Sequence, residues 1–332
     1  MKNLSIIGAG SWGTALAMVL APRFPHIRLW VYESDLAARM QTSRENDVYL
    51  PGFQLPGHIQ VVNDLAGAVE NAELVLSVMP SHLVRRIYQQ MLPHLTESML
   101  FVSATKGLEN GSLLRASEVI REVLSPGMAA RIAVISGPTF AKEVARFEPT
   151  ALVVASSDRA VADGVQAAFS GPTFRLYSSS DTIGVEIGGA IKNVVAIGAG
   201  VLHGMGLGHN PMAALITRGL AEMTRLAVAM GGQPLTLAGL AGLGDLVLTC
   251  NGELSRNRTL GVELAHGRKL DEIVNSMKMV AEGVKTTNAA VDLAKRYSVE
   301  MPISEQMHRV LNSGLSPREA IQRLMERSLK GE

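Results

Sequence analysis

The run Gly8-Ala9-Gly10-Ser11-Trp12-Gly13 follows an apolar stretch at residues 4–7 and opens a helix-period segment. A bare G-x-G-x-x-G pattern is weak evidence, but the strand-turn-helix setting gives it a mechanism. Gly8 permits a tight turn, Gly10 lets a pyrophosphate approach the backbone, and Gly13 lets the helix pack on the strand. The amides of Gly10, Ser11, Trp12 and Gly13 then face an anion at a helix N-terminus. The alternative is a tight turn that binds nothing. Glu33 lies twenty residues past Gly13, after the second apolar run, where a carboxylate usually accepts the adenosine ribose 2′-OH of NAD. The competing reading of Glu33 is a solvated acid ahead of a helix. Arg28 and Arg39 are the nearby residues that would hold a 2′-phosphate instead.

The glycine turn belongs to a longer alternation. Short Val-, Ile- and Leu-rich runs at 4–7, 27–32, 74–78, 100–103 and 132–135 read as strands buried on both faces. Helical patterns at 14–20, 36–42, 64–70, 83–91 and 113–123 separate them, giving the β-α-β order of an α/β, doubly wound parallel sheet. Two further strands, 152–155 and 174–177, finish the sheet. Residues 44–60, with Pro51, Gly52, Pro56 and Gly57, read as a long loop. Past residue 180 the strand signals vanish and helical periodicity continues through 213–229, 284–297 and 304–311. The chain therefore divides near residues 180–190 into a dinucleotide-binding domain, 1–182, and an all-helical domain, 183–332, the latter the place left for substrate binding and catalysis.

Composition excludes several classes. Among 332 residues, 47% are hydrophobic and only 18% charged, which argues against disorder. With 31 Lys+Arg against 30 Asp+Glu the net charge is +1, so no global field draws nucleic acid or an anionic membrane. The single cysteine, Cys250, cannot form an intrachain disulfide, and a large core without staples fits a reducing, cytoplasmic compartment. Gly8, Gly10 and Gly13 interrupt the N-terminal apolar run and argue against a signal peptide. Residues 183–202 are long enough to span a bilayer, yet Glu186 and Lys192 would each cost ~2.5–3.5 kcal/mol near its centre. A buried helix and no stable membrane insertion follow. The eight histidines, His203 and His209 among them, show no metal-ligand spacing, so no metal is expected.

Several polar residues stand out against apolar or glycine-rich surroundings. Lys192 sits in Gly188-Gly189-Ala190-Ile191-Lys192-Asn193-Val194-Val195. Burial disfavours an ammonium, and a lysine so placed can pass a proton to a carbonyl oxygen and take it back. A snorkelling or structurally paired lysine is the rival reading. Asp245, in Gly242-Leu243-Gly244-Asp245, either orients Lys192 or a substrate hydroxyl, or caps a helix. Ser255-Arg256-Asn257-Arg258 offers a hydroxyl, guanidinium and amide in one loop suited to phosphate or carboxylate. Lys106 and Ser136-Gly137-Pro138-Thr139 follow predicted strands, at the edge where such sheets bind ligands. Thr139 alternatively caps a helix.

Taken together, GAGSWGTALA, ATKGL, VISGPTFAKE, GGAIKNVVAIGAG, LITRGLAEM, AGLGDLVLTC, SRNR and EMPI, in this order, resemble the bacterial NAD(P)-dependent glycerol-3-phosphate dehydrogenase family over essentially the whole chain. The resemblance implies a Rossmann-type domain followed by a helical domain like that of 6-phosphogluconate dehydrogenase. It implies reversible reduction of dihydroxyacetone phosphate to sn-glycerol 3-phosphate for glycerophospholipid synthesis, with NAD or NADP as cofactor. On matching positions it makes Lys192 the general acid/base and sets Lys106, Gly137, Thr139, Asp245, Ser255, Arg256 and Asn257 around the substrate. It sets Ser11, Trp12, Lys106, Ala141, Arg256, Val280 and Glu282 against the cofactor. Similar proteins often carry His or Arg where this chain has Tyr32 before Glu33, and Val-Val-Glu-Gly where it has Val280-Ala281-Glu282-Gly283. Tyr32 removes an obvious cation for NADP. A hydroxyacid dehydrogenase using a carboxylate substrate and a nucleotide-binding redox sensor remain the alternatives. The low charged fraction also leaves room for a homodimer interface.

Overall fold

Two compact units, Met1–Glu186 and Ile187–Glu332, make up the chain. The computed structural model describes residues 1–277, 282–329 and 331. The division falls inside one continuous helix, Thr182–Gly204, rather than at its start. Glu186 ties the first turns of that helix to the first unit. Its carboxylate accepts hydrogen bonds from Arg115 Nη1 (2.6 Å), the Ser117 amide (2.8 Å) and the Ser117 hydroxyl (2.6 Å). Burial raises the Glu186 pKa, with Arg115 acting against the rise.

The strands of the first unit are β1 (Asn3–Ile7), β2 (His26–Trp30), β3 (Glu45–Asn46), β4 (Leu50–Gln54), β5 (Ile59–Val62), β6 (Leu74–Ser77), β7 (Leu100–Ser103), β8 (Ile132–Ser136), β9 (Thr150–Ala155) and β10 (Phe174–Ser179). Eight form one sheet in the order β10-β9-β8-β7-β6-β1-β2-β5. Successive residues face opposite sides, so Leu4, Ile6, Leu74, Leu76 and Leu100 enter one core cluster while Ile7, Val75 and Phe101 enter another. Burial on both faces explains the continuous apolar runs. Chain order reverses about β1, which pairs with β2 on one side and β6 on the other. The turn after β1 therefore occupies the topological switch point, where doubly wound sheets bind nucleotides.

The sequence expectation of a loop at 44–60 is corrected here. Residues 45–54 form the antiparallel hairpin β3/β4, and Ile59–Val62 is the sheet's edge strand, paired parallel to β2. Pro51 and Gly52 lie in β4, where a two-stranded ribbon tolerates a missing amide. Ile59 and Val61 are buried while Gln60 is exposed, the one-sided alternation of an edge. Strands β9 and β10 close the sheet as expected, but β9 runs antiparallel to β8. Their connection holds only the five-residue helix Ala141–Ala145 and not a full-length crossover helix of the kind that usually links parallel strands.

Among the described residues the second unit holds helices and no strand. Helix Thr182–Gly204 is long and apolar enough to cross a membrane, and its apolar window is 100% buried within the protein. It packs unusually close to helix Arg256–Ala265: a Cβ on Gly200 would lie 1.9 Å from the Arg258 carbonyl oxygen, and one on Gly261 would lie 2.0 Å from that of Ile197. Elsewhere Glu222, 2% exposed, accepts from the amides of Ile303 (2.6 Å) and Ser304 (3.2 Å) at the start of helix Pro302–Asn312. Burial pushes its carboxyl from an ordinary 4.5 up to about 7 despite those donors.

A raised carboxyl pKa in the folded state favours folding while the group is protonated in both states, and the gain disappears as pH climbs. Glu222 thus gives its full contribution below pH 4.5 and loses it as pH passes about 7. Thermal midpoints measured from pH 4.5 to 8 should fall for the parent relative to Glu222→Gln, with a differential of roughly 5 °C.

Candidate active site

The carboxyl end of β1 turns at Gly8 with φ +115°, and a Cβ there would sit 2.3 Å from the Val78 carbonyl oxygen. Gly13 returns onto this turn: its Cβ would meet the Gly8 oxygen at 1.8 Å. A Cβ on Gly10, by contrast, would find nothing within 4 Å. Two glycines thus close the turn from inside, and the third leaves its outer side open. Helix Ser11–Leu20 starts here without any side chain capping it, so its first amides and positive dipole end suit a pyrophosphate. Trp12 and Ala141 both pack partly buried against the first core cluster. These features fit a dinucleotide.

Beyond β7, Lys106 Nζ donates to the Gly137 carbonyl (3.1 Å) and to Thr139 Oγ1 (3.2 Å). The structure thereby brings Lys106 onto the Ser136–Thr139 stretch, two features taken separately from sequence. Thr139 does not cap a helix; its hydroxyl donates back to Gly137 O at 3.2 Å, and Phe140 takes the N-cap position. Gly137 has φ +151°, and a Cβ there would lie 3.0–3.1 Å from Leu152. Glu33 occupies the N-cap position of helix Ser34–Ser43 and stays exposed. Tyr32 is 61% exposed, its ring edge-on to Trp30 at 5.9 Å.

In the second unit Lys192 is 4% exposed and Asp245 is 0% exposed. Lys192 Nζ donates to Asp245 Oδ1 and, at 2.9 Å, to Thr249 Oγ1, which in turn donates to the Asp245 carbonyl at 2.6 Å. Asp245 begins helix Asp245–Asn251 but does not act as its cap, since Gly244 holds that position. The preceding π-type turn, Leu240–Gly244, makes the approach possible. A Cβ on Gly188 would strike the Ala241 oxygen at 2.4 Å, and one on Gly242 the Leu237 oxygen at 2.0 Å.

The Ser255–Arg258 stretch is a helix start rather than a loop. Ser255 is the N-cap of Arg256–Ala265 and accepts from the Arg258 amide at 3.3 Å. Arg256 is exposed, whereas Asn257 is buried, donating to Asn193 Oδ1 (3.0 Å) and accepting from the Gly283 amide (3.0 Å). Glu282 opens helix Glu282–Arg296. Val280 lies outside the described residues. Sequence reasoning missed Thr249 and Asn193. Thr249 follows Asp245 by four, a spacing that shares one helix face, and Asn193 is a polar residue in an apolar helix, a signal that Lys192 beside it overshadowed. A cleft of about 640 Å³ lined by Glu73, Leu100 and Arg131 opens at the amino ends of the strands, away from the edge where such sheets bind ligands.

A dinucleotide turn in one unit and a buried, partnered lysine in the other are the equipment of a nicotinamide-dependent dehydrogenase. The comparisons narrow this class. The family model for the N-terminus of NAD-dependent glycerol-3-phosphate dehydrogenase matches residues 3–162, and that for its C-terminus matches residues 181–322. The glycerol-3-phosphate dehydrogenase (NAD(P)+) of Koribacter versatilis is 57% identical over 329 residues, 98% of each chain. That of Citrifermentans bemidjiense is 53% identical over 331 residues, 100% of this chain and 99% of the relative. The crystal structure of glycerol-3-phosphate dehydrogenase from Coxiella burnetii superposes with a TM-score of 0.93 at 41% identity, covering 98% of this chain and 99% of that one. The chain belongs to the NAD-dependent glycerol-3-phosphate dehydrogenase family.

Removing one member of a buried ion pair leaves the other charge uncompensated, at about 3–5 kcal/mol, whereas replacing both with apolar groups is close to neutral. Urea unfolding should therefore show Asp245→Ala destabilised by about that much. The double variant Lys192→Met/Asp245→Leu should recover most of the loss, and equal losses in both would contradict the pairing.

Proposed function

We propose that the protein catalyses reversible reduction of dihydroxyacetone phosphate to sn-glycerol 3-phosphate with NAD(H) or NADP(H), the product serving glycerophospholipid synthesis in the cytoplasm. The reading is carried by Lys192, a buried ammonium whose charge is balanced by Asp245 and whose position is fixed by Thr249. When bound, the nicotinamide supplies hydride exchange with the carbon that bears the reacting oxygen. The glycine turn, Ser11, Trp12 and Ala141 hold the dinucleotide, with Glu33 on the ribose, and Val280 and Glu282 join them through family resemblance.

Lys192 gives its proton to the carbonyl oxygen as negative charge develops there, and recovers one in the reverse direction. Asp245 compensates the ammonium before the transfer and orients it throughout. Because two hydrogen-bond partners hold Nζ, little reorganisation is needed at the moment of reaction. Arg256 and the N-terminus of its helix attract the substrate phosphate. Ser255 and Asn257 shape that helix start, and Asn257 keeps a second amide hydrogen for an anion. Lys106, Gly137 and Thr139 form the remaining substrate-facing group. Phosphate binding remote from the reacting carbon helps to orient a three-carbon substrate. A homodimer is the assembly that the low charged fraction and partly exposed apolar helices favour.

Lys192→Ala should lower kcat by about 10²–10⁴ in steady-state assays while cofactor binding survives; full turnover at saturating substrate would remove Lys192 from proton transfer. Dihydroxyacetone without phosphate should react far less efficiently than its phosphate ester. Equal kcat/KM values would eliminate the phosphate anchor.

A further inference from the structure

Residues 45–54, within the stretch 44–60 that reads from sequence as a long loop of the kind that often carries function, form a hairpin. Its Asn46 is 0% exposed and makes three hydrogen bonds, two of which join the hairpin to the glycine turn and the helix that follows it, while the third lies within the hairpin. Nδ2 donates to the Ala9 carbonyl and to Thr14 Oγ1, each at 2.8 Å, and Oδ1 accepts from the Tyr49 amide at 2.9 Å. Tyr49 packs partly buried against the first core cluster and donates its hydroxyl to Glu33 Oε1 at 2.7 Å. A continuous set of contacts thus runs from the phosphate turn through Asn46 and Tyr49 to the acid at the end of β2. Hydrogen bonding to Glu33 and, second, burial push the Tyr49 phenol up to about 12, so it remains a donor at any physiological pH.

The same hairpin engages Arg39. Asp47 accepts from Arg39 Nε (3.1 Å) and Nη2 (3.2 Å). Arg28 is held by Glu70 (3.1 Å) and Gln60 (3.3 Å), and Arg44 by the carbonyls of Pro56 (2.6 Å) and Ile59 (2.8 Å). The arginines closest in sequence to Glu33 are therefore all paired with other groups, while Glu33 itself is held in place by an uncharged donor.

We propose that the hairpin, through Tyr49 and Asp47, sets a preference for NAD(H) over NADP(H). This rests on the reading that Glu33 meets the adenosine ribose. Tyr49 fixes one carboxylate oxygen and so orients the other to accept from a ribose hydroxyl, removing rotamer freedom that an exposed glutamate would otherwise lose on binding. A 2′-phosphate would bring its charge against this fixed carboxylate. Asp47 withholds the one guanidinium on helix Ser34–Ser43 that would offset the repulsion.

The test uses the full chain and three variants, Tyr49→Phe, Asp47→Asn and Glu33→Gln, with KM, kcat and equilibrium dissociation constants measured for NADH and NADPH separately. Tyr49→Phe should raise KM and Kd for NADH about fivefold, the cost of immobilising one side chain on binding, with NADPH constants unchanged. Asp47→Asn should lower KM for NADPH about threefold, a modest gain from an exposed guanidinium, and leave NADH unaffected. A Tyr49→Phe effect equal for both cofactors would reduce Tyr49 to a structural prop and overturn the proposal. So would an unchanged NADH/NADPH ratio in both hairpin variants while Glu33→Gln lowers it, and in that case the ribose reading survives. If Glu33→Gln also leaves the ratio unchanged, the ribose reading itself fails.

Discussion

A lysine ammonium taken out of water is tolerated only against a compensating charge, and much of the second unit is arranged to provide one. Lys192 and Asp245 lie 53 residues apart in sequence, so the pair forms only if two backbone segments approach far closer than side chains normally permit. Gly188 removes the Cβ that would keep them apart, Gly242 lets its own segment fold tightly back on Leu237, and the π-type turn at Leu240–Gly244 widens the backbone just before Asp245. The same economy of side chains recurs where Gly200 meets Gly261, which brings Asn257 to Asn193, the residue next to Lys192. The burial of Lys192 and the glycine content of its surroundings are therefore one constraint seen from two sides.

Much of the first unit was legible because its signals are local. A parallel strand covered on both faces needs a run of apolar residues and nothing else, and the runs at 74–78 and 100–103 map onto β6 and β7 with little change at their ends. The hairpin was not legible, because Pro51 and Gly52 are ordinary loop markers unless the strand lies in a two-stranded ribbon. The reversal at β9 was also hidden. It shows only in the pairing of β9 with β8 across a connection that holds one short helix, and no residue type encodes that pairing.

The site divides along similar lines. Gly8, Gly10 and Gly13 carry their mechanism in their spacing, and Lys192 and Asp245 announced themselves as charges in apolar settings. Both charges in the apolar helix, Glu186 and Lys192, prove to have buried partners, Arg115 and Asp245. What sequence did not supply was which partner belonged to which charge, since each pairing spans more than fifty residues. Tyr49 and Thr249 stayed invisible for another reason: a tyrosine in a presumed loop and a threonine in a helix are unremarkable until the group each one touches is known.

Cys250 lies five residues past Asp245, on the same short helix, with no exposed surface. Burial above all pushes its thiol up to about 12, so in the intact fold it exists almost entirely as the unreactive protonated form. Its reactivity would rise only when the helix carrying Asp245 opens to water. The chain thus contains a single intrinsic chemical clock, placed by the packing around the buried Lys192–Asp245 pair, whose rate of modification reads how often that pair comes apart.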